Sequence, residues 1–497
     1  MSEPASSSPH DGPNWLRPVL VALLAVLIAG YVTLLVRYGS PYAGGSDSSG
    51  YFNSARLFSQ GEFFALPRML PGHSAREFGD LSVQPLGFTL RPDGRLAPTY
   101  PTGYPLHLAA AALGGWAHAS IVVNVVTALA SGLLLFAFCR KLDLPPGLAL
   151  GGVGLMWLCP LFLFQAIQPM SDLPALCWSL TTLYCAVSAR DNWKWGVLCG
   201  AAMGMAVLVR LTNVLLVVPL LVALGLRPRS WLAVGLGSLP GMAFLCYYNW
   251  RVYGSPVTTG YGAVSSAFSH EFLPHNLAHF ARWIPTFLSP LVVLALVSPF
   301  LPGIRQRGYA VLTAWFATLT GFYAFYSYSG EAWWYLRFIL PVFPALLVVT
   351  LAVLDNAWRA ARRRPLTATI VLGVLLLSAA AWELNQTHRL EVLLFEEDER
   401  TYPEATRWAQ NNLPAGSVIL CMQVGGAFFY YTDFTLYRWD QVAAGKYDAL
   451  FAAAAQNGRP VYAALYPFES PAALERIGGH WTELATVNQV TFWQRQP

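Results

Sequence analysis

Asp47 and Asp172 are the acids whose surroundings invite chemistry. Asp47 lies in Gly-Gly-Ser-Asp-Ser-Ser-Gly-Tyr (44–51), shortly beyond an apolar stretch that ends at Val36. Asp172 lies in Gln-Pro-Met-Ser-Asp-Leu-Pro (168–174), in a tight turn between two further apolar stretches. A carboxylate in such a place can orient a hydroxyl nucleophile and accept its proton, and ionisable groups at membrane depth tend to be functional because they are costly to keep there. The plainer alternative is helix capping: Asp47 ahead of a helix over 48–60, and Ser171 or Asp172 ahead of a helix with Pro174 in its first turn. Arg210, Arg251 and Arg337 fall on the same predicted side as the two acids. Guanidinium groups bind phosphate bidentately, so the chemistry suggested is a base beside a lipid phosphate. Snorkelling to ordinary headgroups is the alternative for any one of the three. Tyr51, the tyrosines Tyr100 and Tyr104 of Ala-Pro-Thr-Tyr-Pro-Thr-Gly-Tyr-Pro-Leu (97–106), and Glu331 and Tyr335 of Glu-Ala-Trp-Trp-Tyr-Leu-Arg-Phe (331–338) complete the substrate-binding candidates. Tyrosine offers a hydroxyl and a face on which a sugar can stack. His107 reads as structural.

The elements that must hold these groups are membrane spans. With 55% hydrophobic and 11% charged residues in 497, the chain is far from soluble composition; soluble domains carry about 25% charge. Apolar runs of the length needed to cross about 30 Å of hydrocarbon fall at 18–37, 119–139, 147–166, 172–189, 195–209, 212–226, 231–249, 285–303, 308–327, 337–354 and 366–384. The predicted architecture is an all-α polytopic bundle of about eleven transmembrane helices. Basic residues gather in alternate short loops: Arg140/Lys141, Arg190/Lys194, Arg227/Arg229, Arg305/Arg307 and Arg359/Arg362/Arg363/Arg364. The positive-inside rule then puts the tail 1–17 in the cytoplasm and 385–497 outside. The net charge of +5 is accounted for by those loops and does not point to nucleic acid. The stretch 104–117 is apolar but short and reads as interfacial or re-entrant; were it a span, every later assignment would flip. Residues 1–14 are polar, and the first apolar run lacks a small-residue cleavage site, so no cleaved signal is expected.

The outer loop 38–118 is expected to carry a helix at 48–60 whose Tyr51, Phe52, Ala55, Leu57 and Phe58 lie against the membrane surface. Residues 385–497 return to soluble-like composition and read as a small extracytoplasmic α/β domain, with helices at 403–412 and 472–477 and strands at 417–422, 459–465 and 486–494. Six of the seven cysteines fall in or at the ends of spans, leaving Cys421 alone in the tail, so that domain is expected to fold without a disulfide.

Several segments together resemble the polytopic glycosyltransferases of the C-type fold that use polyprenyl-phosphate sugars, in the branch of protein O-mannosyltransferases and lipid A aminoarabinose transferases. The segments are GSDSSGY with Asp47, YPTGYP (100–105), MSDLPA with Asp172, the Tyr-Asn-x-Arg-x-x-Gly-Ser-Pro run of 247–256, and the aromatic-Arg-Phe-x-x-Pro run of 335–341. The resemblance covers about 20–350. This chain departs from the family in having Ser48 where a second acid is usual, while Tyr51 keeps its spacing from Asp47. The resemblance implies a bacterial inner-membrane enzyme and an inverting transfer from a lipid-phosphate sugar to a hydroxyl of a lipid, glycan or protein acceptor. In that scheme Asp47 is base or acceptor-orienting acid, Asp172 supports the acceptor, and Arg251, Arg337 and Arg210 hold the donor phosphate. No cofactor is expected; a divalent ion bridging Asp47 and Asp172 is the less favoured alternative. The rival reading is a transporter or flippase of a lipid-linked sugar. It calls for polar residues along the middle of the spans, but the spans have few: Asn124, Gln165 and Asn213 are the main ones, and all but Asn124 sit near ends. A third reading, a membrane-anchored binding module built on 385–497, leaves the outer acids without a purpose.

Overall fold

Gly196, Gly200 and Gly204 recur every fourth residue and so form a stripe without side chains along one face of the helix Trp195–Val209. The stripe meets Gly237 and Gly241 of the long helix Pro228–Tyr253, and the two backbones touch: a methyl group at Gly200 would lie 2.0 Å from the Val234 carbonyl oxygen, and one at Gly237 2.0 Å from that of Val197. In a lipid environment, where apolar burial hardly drives helix association, close backbone approach of this kind does much of the work. Gly200→Ala is therefore expected to destabilise the protein by about 1–3 kcal/mol, read as a lower thermal midpoint in detergent; an unchanged midpoint would mean that the helices can part freely.

The computed structural model describes residues 16–262, 264–301, 307–361 and 363–496. Most of the amino-terminal tail, Arg305 and Arg362 thus lie outside the described residues. Each stretch expected to span coincides with helical structure, but not always with one straight helix. Among the described residues, four helices are long and apolar enough to cross a membrane alone, and six if each sharply bent pair is one span. Proline explains the bends. Pro160 cannot donate to the ladder and pushes Cys159 out of helical geometry, so Pro146–Leu158 and Pro160–Ala166 meet at 65°. The expected span 285–303 is instead a corner: Leu273–Phe287 and the 3-10 helix Pro290–Phe300 lie at 109° with Ser289 at φ 60° between them. Helix Trp195–Val209 has 15 residues and Val217–Leu224 has 8, too short to reach across without a tilt or a thinner bilayer.

The basic loops collect at one end of the bundle, where Lys141 pairs with Asp191 at 2.6 Å and Arg227 donates to the Arg190 carbonyl at 2.9 Å. The other end of helix Ala119–Lys141 meets the outer loop, Ser120 donating to the Ser40 carbonyl at 3.0 Å. There the helix Gly103–Ala111 and two 3-10 turns replace the ambiguous stretch 104–117.

The carboxy-terminal segment is α/β. Strand Val418–Cys421 lies parallel to Thr435–Arg438 on one side and to Val461–Leu465 on the other, and Val490–Arg495 and Trp481–Val487 extend the sheet antiparallel. The single strand expected over 486–494 is really the turn and second half of a hairpin. Asn488 takes φ 51° between Val487 and Val490, a conformation Asn tolerates in a two-residue turn. Strand Thr435–Arg438 and helices Gly425–Tyr431 and Tyr447–Gln456 had no counterpart in the sequence reading. Leu70, Phe78, Val83 and Phe88 of the outer loop enter the same apolar core as this sheet. All seven cysteines are free, Cys421 buried in strand Val418–Cys421, second from the sheet edge.

Candidate active site

Helix Ser46–Ser59 starts at Gly45 with no side-chain cap, so Asp47 sits in the first turn without capping it. Its carboxylate turns to Arg337, whose Nη2 donates to Oδ2 at 2.8 Å, both groups remaining partly open to the exterior (29% and 18% exposed). Gly44 leaves room for this entry, since a methyl group there would overlap the Glu399 carboxylate. The face of the helix expected to rest on the membrane is instead buried in protein. Tyr51 packs 5.0 Å from each of Tyr100 and Tyr104, and Phe52 lies 5.6 Å from Tyr430 of the carboxy-terminal domain. The apolar stripe looked interfacial because nothing in a local reading announces the distant domain that covers it.

Asp172 opens helix Asp172–Ser188, behind Ser171, which likewise makes no cap hydrogen bond. Asp172 is fully buried and meets Arg210 Nη2 at 2.8 Å, with Arg210 15% exposed. Neither carboxylate oxygen of Asp172 has a directed hydrogen bond among the described residues, so charge alone holds the pair. Arg210 ends helix Trp195–Val209 in extended geometry, and its Nη1 donates to the Arg337 carbonyl at 3.4 Å. The two ion pairs are thereby joined through the 3-10 helix Trp333–Phe338. Arg337 also packs against the rings of Phe338 and Tyr335, at 5.4 and 5.8 Å, and its buried Nε has no partner.

These groups border a cavity of about 690 Å³ lined by Asp47, Tyr51, Tyr100, Arg210, Tyr335 and Arg337. Tyr51 donates to Ser171 Oγ at 2.9 Å, and the Tyr100 hydroxyl lies 2.8 Å from Ser46 Oγ. Burial first, and then the Asp47 carboxylate, hold both phenols well above the ordinary tyrosine range, so they stay protonated. They can therefore donate hydrogen bonds to a sugar or phosphate oxygen.

Four of the sequence candidates stand elsewhere. Arg251 is exposed near the end of helix Pro228–Tyr253, whose orientation is set by buried Tyr248 and Val252 one turn apart; its carbonyl accepts from Arg91 at 3.4 Å. Glu331 is exposed outside the cavity. Tyr104 is fully buried beneath Tyr51, and Asp172 stands behind Arg210 without lining the cavity. In their place the wall is completed by Thr212, Tyr261, Tyr323, Tyr326 and Tyr328. Tyr323 ends helix Arg307–Tyr323, and Tyr326 lies just beyond it in an extended bridge to Phe268, so helical periodicity does not relate the two. Tyr261 carries no periodic signal either. The span residues Asn124 and Asn213 donate to the Gln168 and Ala206 carbonyls at 2.6 and 2.8 Å, while the buried Asn124 Oδ1 has no partner among the described residues. Among the described residues no three His, Cys, Asp or Glu side chains converge.

Residues 102–246 match the family described as dolichyl-phosphate-mannose-protein mannosyltransferase. No curated protein matches the chain significantly. Among solved structures, ArnT from Cupriavidus metallidurans bound to undecaprenyl phosphate superposes with a TM-score of 0.58 at 14% identity, over 95% of this chain and 98% of that one. The apo form of the same protein gives 0.58 at 15% identity, over 97% and 98%. The arabinofuranosyltransferase AftD from Mycobacteria gives 0.56 at 13% identity, over 95% of this chain and 41% of that one. At these identities the superpositions establish the fold. The chain is thus an integral membrane protein with the C-type glycosyltransferase fold, and its residues 102–246 carry the sequence pattern of the mannosyltransferase family.

Proposed function

We propose that the protein transfers a hexosyl or pentosyl unit from a polyprenyl-phosphate donor to an acceptor hydroxyl, at the outer face of the bacterial inner membrane. One observation carries this reading: the Asp47–Arg337 pair stands on the wall of a 690 Å³ cavity, within the volume range of about 300–1,000 Å³ used for small ligands. The fold is shared with a protein solved with undecaprenyl phosphate. The basic loops at the far end support an outer position for the carboxy-terminal domain.

In the reaction the acceptor oxygen attacks the anomeric carbon as the bond to the phosphate oxygen breaks, inverting that carbon. The acceptor proton passes to Asp47 and the polyprenyl phosphate leaves. Phosphate is already a good leaving group, so charge stabilisation by Arg337, with Arg210 beside it, replaces a general acid. Arg251, exposed and remote from the cavity, has no part. The donor phosphate competes with Asp47 for Arg337, and its arrival frees the carboxylate for the acceptor. Asp172 anchors Arg210 and supports the site from behind. A divalent ion is not required by this scheme.

Protein reconstituted with radiolabelled polyprenyl-phosphate sugars and envelope acceptors tests the reading. Donor cleavage dependent on acceptor, with release of free polyprenyl phosphate, is expected. Movement of intact donor between leaflets without cleavage would make the protein a transporter instead.

A further inference from the structure

A second cavity, of about 340 Å³, opens on the opposite side of helix Ser46–Ser59 and shares no lining residue with the first. Its charged lining is Arg56 and Arg68, with Asn53 and Gln60 as the other polar groups and no acid. Both guanidinium groups are fixed by the carboxy-terminal domain. Arg56 lies 3.8 Å over the Tyr430 ring and donates to the Tyr430 carbonyl at 2.7 Å. Arg68 lies 4.4 Å over the Phe429 ring and donates to the Thr432 carbonyl. Among the described residues Arg56 has no ion pair, and the single partner of Arg68 is Asp433 at 3.4 Å, whose side chain is fully exposed. An exposed pair of that kind contributes little. Burial, with Arg56 as a lesser cause, draws Arg68 below its ordinary range despite Asp433. Two cations held side by side by stacking and carbonyls, with several N–H groups each still unused, repel one another unless an anion sits between them.

We propose that this cavity is an anion subsite, taking a phosphate or carboxylate group between Arg56 and Arg68. Planar guanidinium forks match the oxygens of such groups, and the neighbouring Gln60 amide supplies a neutral hydrogen bond, the Asn53 amide being engaged by the Gly426 carbonyl at 3.1 Å. The helix that carries Arg56 also carries Asp47 nine residues earlier, a rise of about 13 Å. We assign the anion to an acceptor several sugar units long, which reaches round the helix from one cavity to the other. That assignment of the anion to the acceptor rests on the glycosyl-transfer reading; anion binding does not.

The test is equilibrium dialysis of radiolabelled inorganic phosphate against the full-length protein in phosphatidylcholine nanodiscs. Arg56→Gln/Arg68→Gln is expected to lose at least about tenfold in affinity at a class of phosphate sites that Arg337→Gln, which acts on the first cavity, retains. Arg56→Lys, which keeps the charge but not the fork, falls between. If the double variant does not fold, the same ordering is read from Arg56→Gln and Arg56→Lys singly, together with the rise in wild-type thermal midpoint on adding phosphate. No phosphate binding by wild type, or equal binding by the double variant, overturns the proposal. Repeating the measurement in phosphatidylglycerol nanodiscs separates the sources. Undiminished binding assigns the anion to a group arriving from outside, whereas competition by the lipid keeps the anion subsite and overturns its assignment to the acceptor. Because Asp47→Asn removes transfer and leaves this site intact, the two readings fail separately.

Discussion

Asp47→Asn is expected to lower sugar transfer by about 10²- to 10⁴-fold, the range lost when a positioned acid or base is removed. The amide keeps the shape and can still accept one hydrogen bond, but it cannot take the acceptor proton. It also leaves Arg337 without its 2.8 Å partner. Since the pair is partly exposed, the loss of stability is small, and the freed arginine is available to the donor phosphate. The expected pattern is therefore a large fall in kcat with donor affinity held or improved, in a protein whose thermal midpoint barely moves. Near-normal turnover in the folded variant would remove Asp47 from the mechanism. A matched fall in donor affinity would instead mean that the carboxylate serves to place Arg337.

Asp172→Ala has the opposite character. Asp172 is fully buried against Arg210, with no directed hydrogen bond to share the load. Removing one partner of a buried pair strands the other charge and costs about 3–5 kcal/mol, enough to dominate the stability of a typical domain. Arg210 would turn toward the cavity and away from the Arg337 carbonyl it now contacts at 3.4 Å, so transfer falls too. The control is Asp172→Ala/Arg210→Leu, which removes both charges and is expected to regain most of the stability but not the activity. Denaturation in detergent measures both variants. A cost of less than about 1 kcal/mol for Asp172→Ala, the value of an exposed pair, would show that water reaches this pair.

Much of the site was legible because its residues break a strong local rule. Acids and arginines at the ends of apolar stretches are conspicuous in a chain with 26 Asp and Glu in 497 residues. Asp47, Arg210 and Arg337 could be singled out without knowing what they touch. Arg251 satisfied the same rule and yet faces outward, because Tyr248 and Val252 on the same helix decide which side is buried. The aromatic wall at Tyr323, Tyr326 and Tyr328 went unread because aromatic residues near a membrane face are ordinary.

Composition and periodicity alone indicated that the chain is a polytopic helical membrane protein and that its carboxy-terminal part is α/β, though not that residues of the loop 38–118 enter the same core. These are properties of runs of residues, set by hydrocarbon thickness and side-chain period. Only the tertiary structure decided the pairing of Asp47 with Arg337 and of Asp172 with Arg210. It also broke the expected span 285–303 into a corner and laid helix Ser46–Ser59 under the carboxy-terminal domain rather than on the lipid. The physical reason is common to all of these. The ion pairs and the helix–domain contact join groups from 38 residues apart, as in Asp172 and Arg210, to several hundred, and their energies come from burial and charge in a shared space that no local window of sequence contains.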